Sequence, residues 1–304
     1  MFKVCTLLAA YNGEQFIKEQ LDSILNQDNV DNDIYISLDL STDRTIDIID
    51  DYKKKYNNIF LLPYGQKFGS AGQNFFHLLT KVDFSKYDYV AFSDQDDIWL
   101  PNKLKRALSM LQKSESDGYS SNVTAFWKSG KKVLVRKDYP QTEFDYIFES
   151  SGPGCTFVLR TSLAIDIKQS LDKKRELIKK LWLHDWYCYA FSRENKRKWY
   201  IDSEPLMLYR QHETNQVGAN QGLSQILSRF KVILSGDAFD KVMAQADFIA
   251  IKNKPILLLS KNNFISYLKL SFLAFKCRRK PMDKIAFFII ILLMSIKSLF
   301  HEAK

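Results

Sequence analysis

Three carboxylates fall within four residues at Asp94-Gln95-Asp96-Asp97, separated only by Ser93 from the apolar run Tyr89-Val90-Ala91-Phe92. Like charges this close repel one another. A hard divalent cation, Mg²⁺ or Mn²⁺, offsets the repulsion and carries substrate phosphates on its open positions. The other reading of the same residues is an acidic turn that caps the following helix. Asp185 lies in His184-Asp185-Trp186, between Leu181-Trp182-Leu183 and Tyr187-Cys188-Tyr189. Apolar surroundings desolvate a carboxylate and raise its pKa, which suits a general base; a helix cap is the plainer alternative. Tyr209-Arg210-Gln211-His212 adds Arg210 and His212, which can stabilise a leaving diphosphate by charge, on what otherwise reads as a surface strand and turn.

The elements that must position these groups alternate between strand-like apolar runs and helical periodicity, the pattern of a mostly parallel sheet with crossover helices. Phe2 to Ala9 reads as a buried first strand, and residues 14–27 place Ile17, Leu21, Ile24 and Leu25 at helical spacing. Residues 34–38, 59–62 and 89–93 are further strands, and 45–56 and 74–82 are helices. Pro101 fits the first turn of a helix carrying Leu104, Ala107, Leu108 and Leu111. In an open parallel sheet, ligands collect at the carboxyl ends of strands near a switch in strand order. Tyr11-Asn12-Gly13, Asp39 to Asp43 and Asp94 to Asp97 all stand at such ends, so topology alone predicts that they meet.

The 304 residues are 46% hydrophobic and 14% aromatic with 11 Gly and 7 Pro, which excludes a disordered or linker-dominated chain. Cys5, Cys155, Cys188 and Cys277 form neither a C-x-x-C pair nor zinc-ligand spacing, and a reducing cytoplasm fits them. No secretory leader is read in the first residues. The net charge of +9 is unevenly spread: residues 1–222 hold 30 cationic and 30 acidic side chains, whereas 223–304 hold 14 and 5. The surplus lies among apolar stretches rather than on a basic, aromatic-interleaved nucleic-acid surface, so no nucleic-acid partner is expected.

Taken in order, Ala9 to Gly13, Ser23 to Gln27, Asp39 to Thr45, Gly69 to Asn74, Ser93 to Trp99, His184 to Trp186 and Tyr209 to His212 resemble family 2 glycosyltransferases, in particular bacterial rhamnosyltransferases of cell-surface polysaccharide synthesis. The resemblance implies a GT-A fold and a metal-dependent, inverting transfer from a nucleotide-diphosphate sugar, dTDP-rhamnose, to a growing polyprenyl-linked glycan. It implies that Ala10, Tyr11, Asn12, Asp39 and Asn74 bind the nucleotide, with Asp39 on the pyrimidine. Asp94, Arg210 and His212 would attend the donor sugar and diphosphate, and Asp96 with Asp94 would hold Mn²⁺ or Mg²⁺. Asp185 would be the catalytic base, bordered on the acceptor side by Gly154, Cys155 and Trp186. One departure stands out: many members have Asp-Asp-Gly-Ser where this chain has Leu38-Asp39-Leu40-Ser41, which removes a carboxylate and a glycine able to take positive φ. A non-catalytic relative that binds nucleotide or glycan beside a partner transferase, and a transferase using a UDP-hexose, are the alternatives.

The catalytic domain is accordingly expected over residues 1–222, followed by a basic, apolar helical segment over 223–304. Residues 285–296 form an apolar run too short for the roughly 20 residues of a spanning helix. Lys276, Arg278, Arg279 and Lys280 cluster before Pro281, a pattern that suits helices lying on an anionic leaflet, peripheral on the inner face of the cell membrane. A bundle packed on the catalytic domain, or a dimerising face in a homo-oligomer, would carry the same pattern.

Overall fold

The computed structural model describes residues 1–211 and 237–302. Strand β1 (Lys3–Ala10) is buried almost throughout and sits near the centre of a seven-stranded sheet. The elements that follow are α1 (Ile17–Leu25), β2 (Asp31–Leu38), α2 (Thr45–Lys55), β3 (Ile59–Leu61), α3 (Ala71–Lys81), β4 (Tyr89–Ser93), β5 (Ile98–Trp99) and α4 (Lys103–Lys113). Next come β6 (Gly118–Ser121), β7 (Val123–Phe126), β8 (Lys132–Val135), α5 (Asp145–Phe148), β9 (Val158–Arg160), α6 (Thr161–Asp172), α7 (His184–Glu194), β10 (Trp199–Asp202) and β11 (Met207–Arg210). The large sheet runs β10-β6-β9-β4-β1-β2-β3, with β9 antiparallel to both neighbours and the other pairings parallel. The expected crossovers therefore run outward from β1 on one side through β2 and β3, and on the other through β4. The reversal between β1 and β4 is a topological switch point, where loops on the two sides diverge and leave a crevice.

Period-two alternation distributes the core over both faces. Val4, Leu8 and Ala10 join Ile34, Ile36, Leu38 and the inner faces of α1 and α4, including Leu21, Ile24, Leu104 and Leu108. On the opposite face Phe92 of β4 meets Phe75 of α3 at 5.6 Å and Phe157 at 6.2 Å. A second, four-stranded sheet runs β5-β11-β7-β8, so β11 returns beside the acidic turn that ends β4.

The described residues divide into two compact units, 1–138 with 151–211, and 139–150 with 237–302. In the second unit the described helices are α8 (Asp237–Ile249), α9 (Lys254–Lys261), α10 (Phe264–Ser271), α11 (Ala274–Cys277) and α12 (Pro281–Glu302), together with α5. Their boundaries are written in asparagines. Asn253 caps α9, with Pro255 in its first turn, Asn262 ends it in the left-handed region at φ 47°, and Asn263 caps α10 through Ser266 N at 2.9 Å. Segment 139–150 groups with these helices because Arg279, 4% exposed, faces Asp145 at 3.5 Å and Glu149 at 3.6 Å. The basic cluster read before Pro281 is thus divided: Arg279 is buried in ion pairs, and Arg278 reaches Glu149 and Asp283. No helix among the described residues is long and apolar enough to cross a membrane.

Within the first unit, fully buried Asp202 receives a bidentate contact from Arg106 at 2.8 and 3.1 Å and the Tyr119 hydroxyl at 3.0 Å. Removing the cation strands a buried carboxylate, and the partial exposure of Arg106 places the penalty below that of a wholly buried pair. Arg106→Ala is expected to lower unfolding free energy by about 2 kcal/mol in urea titration. A midpoint equal to that of the parent chain would show that Tyr119 alone suffices.

Candidate active site

Strand ends set the frame. The loop after β1 is stitched to the loop after β2 by short polar groups: Asn12 N donates to Ser41 Oγ at 3.0 Å, Thr42 N to Asn12 Oδ1 at 2.8 Å, and Gly13 N to Thr45 Oγ1 at 2.7 Å. Gln95 joins the loop after β4 to the same place, accepting from Tyr11 N and donating to Tyr11 O, both at 2.7 Å. The three clusters predicted to meet at the switch point do meet. Asn12 takes the left-handed conformation here, φ 44°, whereas Leu40 needs no positive φ. The residue that replaces the family's glycine is therefore compatible with its loop.

Asp39 is 5% exposed, and its carboxylate accepts from the backbone N–H groups of Leu40, Phe68 and Gly69, each at 2.8 Å. It anchors the loop before α3, and Oδ2, with one of these bonds, retains acceptor capacity. Ala10 and Asn74 are each 2% exposed, and Asn74 Nδ2 donates to the carbonyls of Ala10 at 3.2 Å and Ser37 at 3.0 Å. Of the residues expected to bind nucleotide, these two therefore lie behind the crevice and tie β1 to β2. Tyr11, half exposed, and Asn12 stand on its surface.

The acidic turn brings further groups to the expected Asp94 and Asp96 pair, with Asp96 close enough to raise the carboxyls of Asp94 and Asp97. Ligand atoms of Asp94, Asp97 and Cys155 all lie within 4.8 Å of one another. Arg210 explains the geometry: its N–H donates to Asp97 Oδ1 at 3.1 Å and its Nε to Asp96 O at 2.7 Å, turning the Asp97 carboxylate inward. Asp97 is 1% exposed, and its Oδ2 has no hydrogen-bond partner. Burial, reinforced by Asp96 and then Asp185, pushes the Asp94 carboxyl up to about 7. Burial and the charges of Asp96 and Asp94 raise Asp97 as well. Crowded carboxyls that favour protonation, one with an orphaned oxygen, are a donor set that a divalent cation fits.

Arg210, expected on the diphosphate, is also engaged by groups of the protein. Its guanidinium lies between Phe126 and Phe16, 4.6 and 4.9 Å from their ring centroids, and pairs with Glu19, so it braces the acidic turn. His212 lies outside the described residues. Cys155, expected at the acceptor, is fully buried beneath the turn, and burial with the charges of Asp97 and Asp94 pushes its thiol well up. Asp185 sits in the first turn of α7, its Oδ1 accepting from Trp186 N at 2.7 Å, close enough to Asp94 to raise the latter's pKa. A Cβ at Gly154 would overlap His184 and come within 3.2 Å of Asp185 Cβ, so glycine lets the 153–156 turn pass beside the carboxylate. Trp186 is 7% exposed and packs at right angles to Trp182.

Two residues escaped the sequence reading. Lys103, on the inner face of α4, is 2% exposed with Nζ 3.5 Å from the Trp99 ring centroid; burial pulls its pKa to about 7 against the attraction of Cys155 and Asp97. Nothing in local periodicity marks a lysine as buried. Trp182 reads as part of an apolar run, yet it is 47% exposed beside Trp186. An open indole three residues before Asp185 is a surface on which a sugar ring can stack.

A parallel sheet with an acidic turn at its switch point and a carboxylate on a facing helix is the architecture of the GT-A glycosyltransferases. S. aureus TarS, residues 1–349, superimposes on 97% of this chain and 80% of its own with a TM-score of 0.56 at 18% identity, and its complex with UDP with a TM-score of 0.54. The profile of glycosyl transferase family 2 matches residues 5–165. The chain is 43% identical over 294 residues, 96% of its own length and all of the relative's, to the dTDP-rhamnosyl transferase RfbG of Shigella flexneri. It belongs to glycosyl transferase family 2 and is a glycosyltransferase.

The raised Asp94 pKa has a consequence for stability. A carboxyl that holds its proton better folded than unfolded contributes fully below the unfolded value, 3.8, and that contribution is lost as pH rises through about 7. The melting temperature of the metal-free protein is expected to fall as pH rises across this window, and to fall less in Asp94→Asn. Equal slopes in scanning calorimetry would remove Asp94 from the titration.

Proposed function

We propose that this enzyme transfers rhamnose from dTDP-rhamnose to a growing cell-surface polysaccharide carried on a polyprenyl lipid, inverting the anomeric carbon. The donor assignment is carried by the 43% identity that spans the whole of a dTDP-rhamnosyl transferase. The nucleotide would lie against Tyr11 and Asn12, with its base toward Asp39, and the sugar diphosphate toward Asp94. Asp185 takes the proton from the acceptor hydroxyl as the new oxygen–carbon bond forms and the carbon–diphosphate bond breaks, releasing dTDP. Trp182 and Trp186 would border the acceptor. Asp94 and Asp97, with Asp96 nearby, would hold Mn²⁺ or Mg²⁺, which when bound neutralises charge on the leaving diphosphate. A lipid-carried acceptor places the work at the inner face of the cell membrane.

Asp185→Asn keeps the shape of the side chain and removes its basicity, so transfer is expected to fall by about 10³-fold with nucleotide affinity unchanged. Wild-type turnover in that variant would dismiss Asp185 as the base. In thermal-shift titrations with Mn²⁺, dTDP is expected to stabilise the protein more than UDP, GDP or CMP, since a ligand bound to the folded state alone raises its stability. A preference for UDP would retain the transferase and replace the sugar. Trp182→Ala is expected to raise the acceptor KM roughly tenfold while leaving the donor KM unchanged, as loss of one stacking contact requires; an unchanged acceptor KM would place the glycan elsewhere.

A further inference from the structure

Helix α12 buries one side and leaves the other apolar and open. Ile290, Ile291 and Met294 are at most 8% exposed, whereas Met282, Ile285, Ile289, Leu293, Ile296 and Leu299 are 44–66% exposed at spacings of three and four residues. A helix that faced only water on that side would carry polar groups there. The open face also continues beyond the helix. Phe272, 71% exposed, meets Phe288 of α12 at 6.2 Å, and Phe275, one turn further on, is 62% exposed.

The surrounding charges select what covers this face. Between residues 254 and 297 the exposed charged side chains are lysines, Lys254, Lys261, Lys269, Lys276 and Lys297, of which Lys276 pairs with Glu143 at 2.7 Å. The single acid in that stretch, Asp283, is partly buried and faces Arg278 at 3.5 Å. A second copy of the chain would bring the same lysines against these, so like charge opposes pairing through this face. An apolar strip on a segment whose exposed charges are lysines, Lys297 on the same helix among them, instead matches the phosphates and acyl boundary of an anionic leaflet, where long stems reach the headgroups as the strip enters the interface.

We propose that the exposed face of α12, with Phe272 and Phe275, is the surface by which this protein lies on an anionic lipid bilayer. The inference rests on the reading of a membrane-carried acceptor for its purpose; the binding is measurable without it. Co-sedimentation of the full chain with vesicles of phosphatidylglycerol and phosphatidylcholine, and with phosphatidylcholine alone, tests the proposal. Binding is expected to the anionic vesicles, to weaken with salt, and to drop by at least about tenfold in Ile285→Gln/Ile289→Gln/Leu293→Gln. Failure of the parent chain to bind anionic vesicles overturns the proposal, as does equal binding by the triple variant. A dimer in light scattering that the variant abolishes, without vesicle binding, also overturns it and assigns the face to a second copy. A dTDP thermal shift on both proteins separates the two readings: an unaltered shift shows an intact fold and nucleotide site, so loss of vesicle binding then reports on this face alone. Absence of any nucleotide shift in a chain that still binds vesicles would count against the donor reading and leave this one standing.

Discussion

Negative charge gathered at the end of β4 is the constraint around which the catalytic unit is arranged. Asp94, Asp96 and Asp97 crowd within four residues of a buried strand's end, Asp94 and Asp96 partly buried and Asp97 wholly so, and their repulsion is only partly screened by water. The fold answers from several directions. Arg210 arrives on β11 and fixes both Asp97 and the Asp96 carbonyl, while Lys103 rises from α4 beneath Trp99. The cost left uncompensated appears as raised carboxyl pKa values and an orphaned Asp97 oxygen. A site with unmet demand for positive charge suits a reaction in which a cation and a diphosphate arrive together.

The four-stranded sheet takes its meaning from that demand. β11 pairs with β5 immediately after the acidic turn, with Met207 opposite Trp99, so the strand that delivers Arg210 is registered against the turn that its backbone N–H and its Nε hold in place. Phe16 and Phe126 hold the guanidinium plane from both sides, and Glu19 of α1 completes its pairing. An arginine fixed in this way acts as scaffold. Its planar fork reaches a carbonyl and a carboxylate at once, which a lysine in its place could not do.

Much of this was legible in the sequence, and the remainder was hidden for identifiable reasons. Strand and helix positions followed from period-two and 3.6-residue patterns, and the meeting of the 11–13, 39–43 and 94–97 loops followed from parallel topology. That Asp97 would turn inward to join Asp94 was not legible, because the backbone N–H that holds it belongs to Arg210, more than a hundred residues away. The burial of Ala10, Asn74 and Cys155 was not legible, because motifs record proximity to a ligand whereas burial depends on what packs above. Lys103 and Trp182 reversed the usual association of charge with exposure and of indole with burial, in each case through tertiary neighbours. Arg278 and Arg279 read as a basic surface until Asp145 and Glu149, distant in sequence, came to meet them.

The substitution of leucine at position 40 shows how such a departure can be absorbed. A glycine matters where φ must be positive, and here the left-handed residue is Asn12, on the neighbouring loop, whose side chain then accepts from Thr42 N. Asp39 secures the rest by taking three backbone N–H groups, including that of Leu40 itself. Loop shape therefore resides in hydrogen bonds made by its neighbours, and the leucine side chain, half exposed, projects away from them. A lost carboxylate at position 38 is equally well explained: Leu38 is 2% exposed within the hydrophobic core, where an unpaired charge would carry a heavy desolvation penalty. Both departures change side chains at places where backbone geometry is held by other means, at position 40 by the Asp39 carboxylate and at position 38 by pairing with Ala10 of β1.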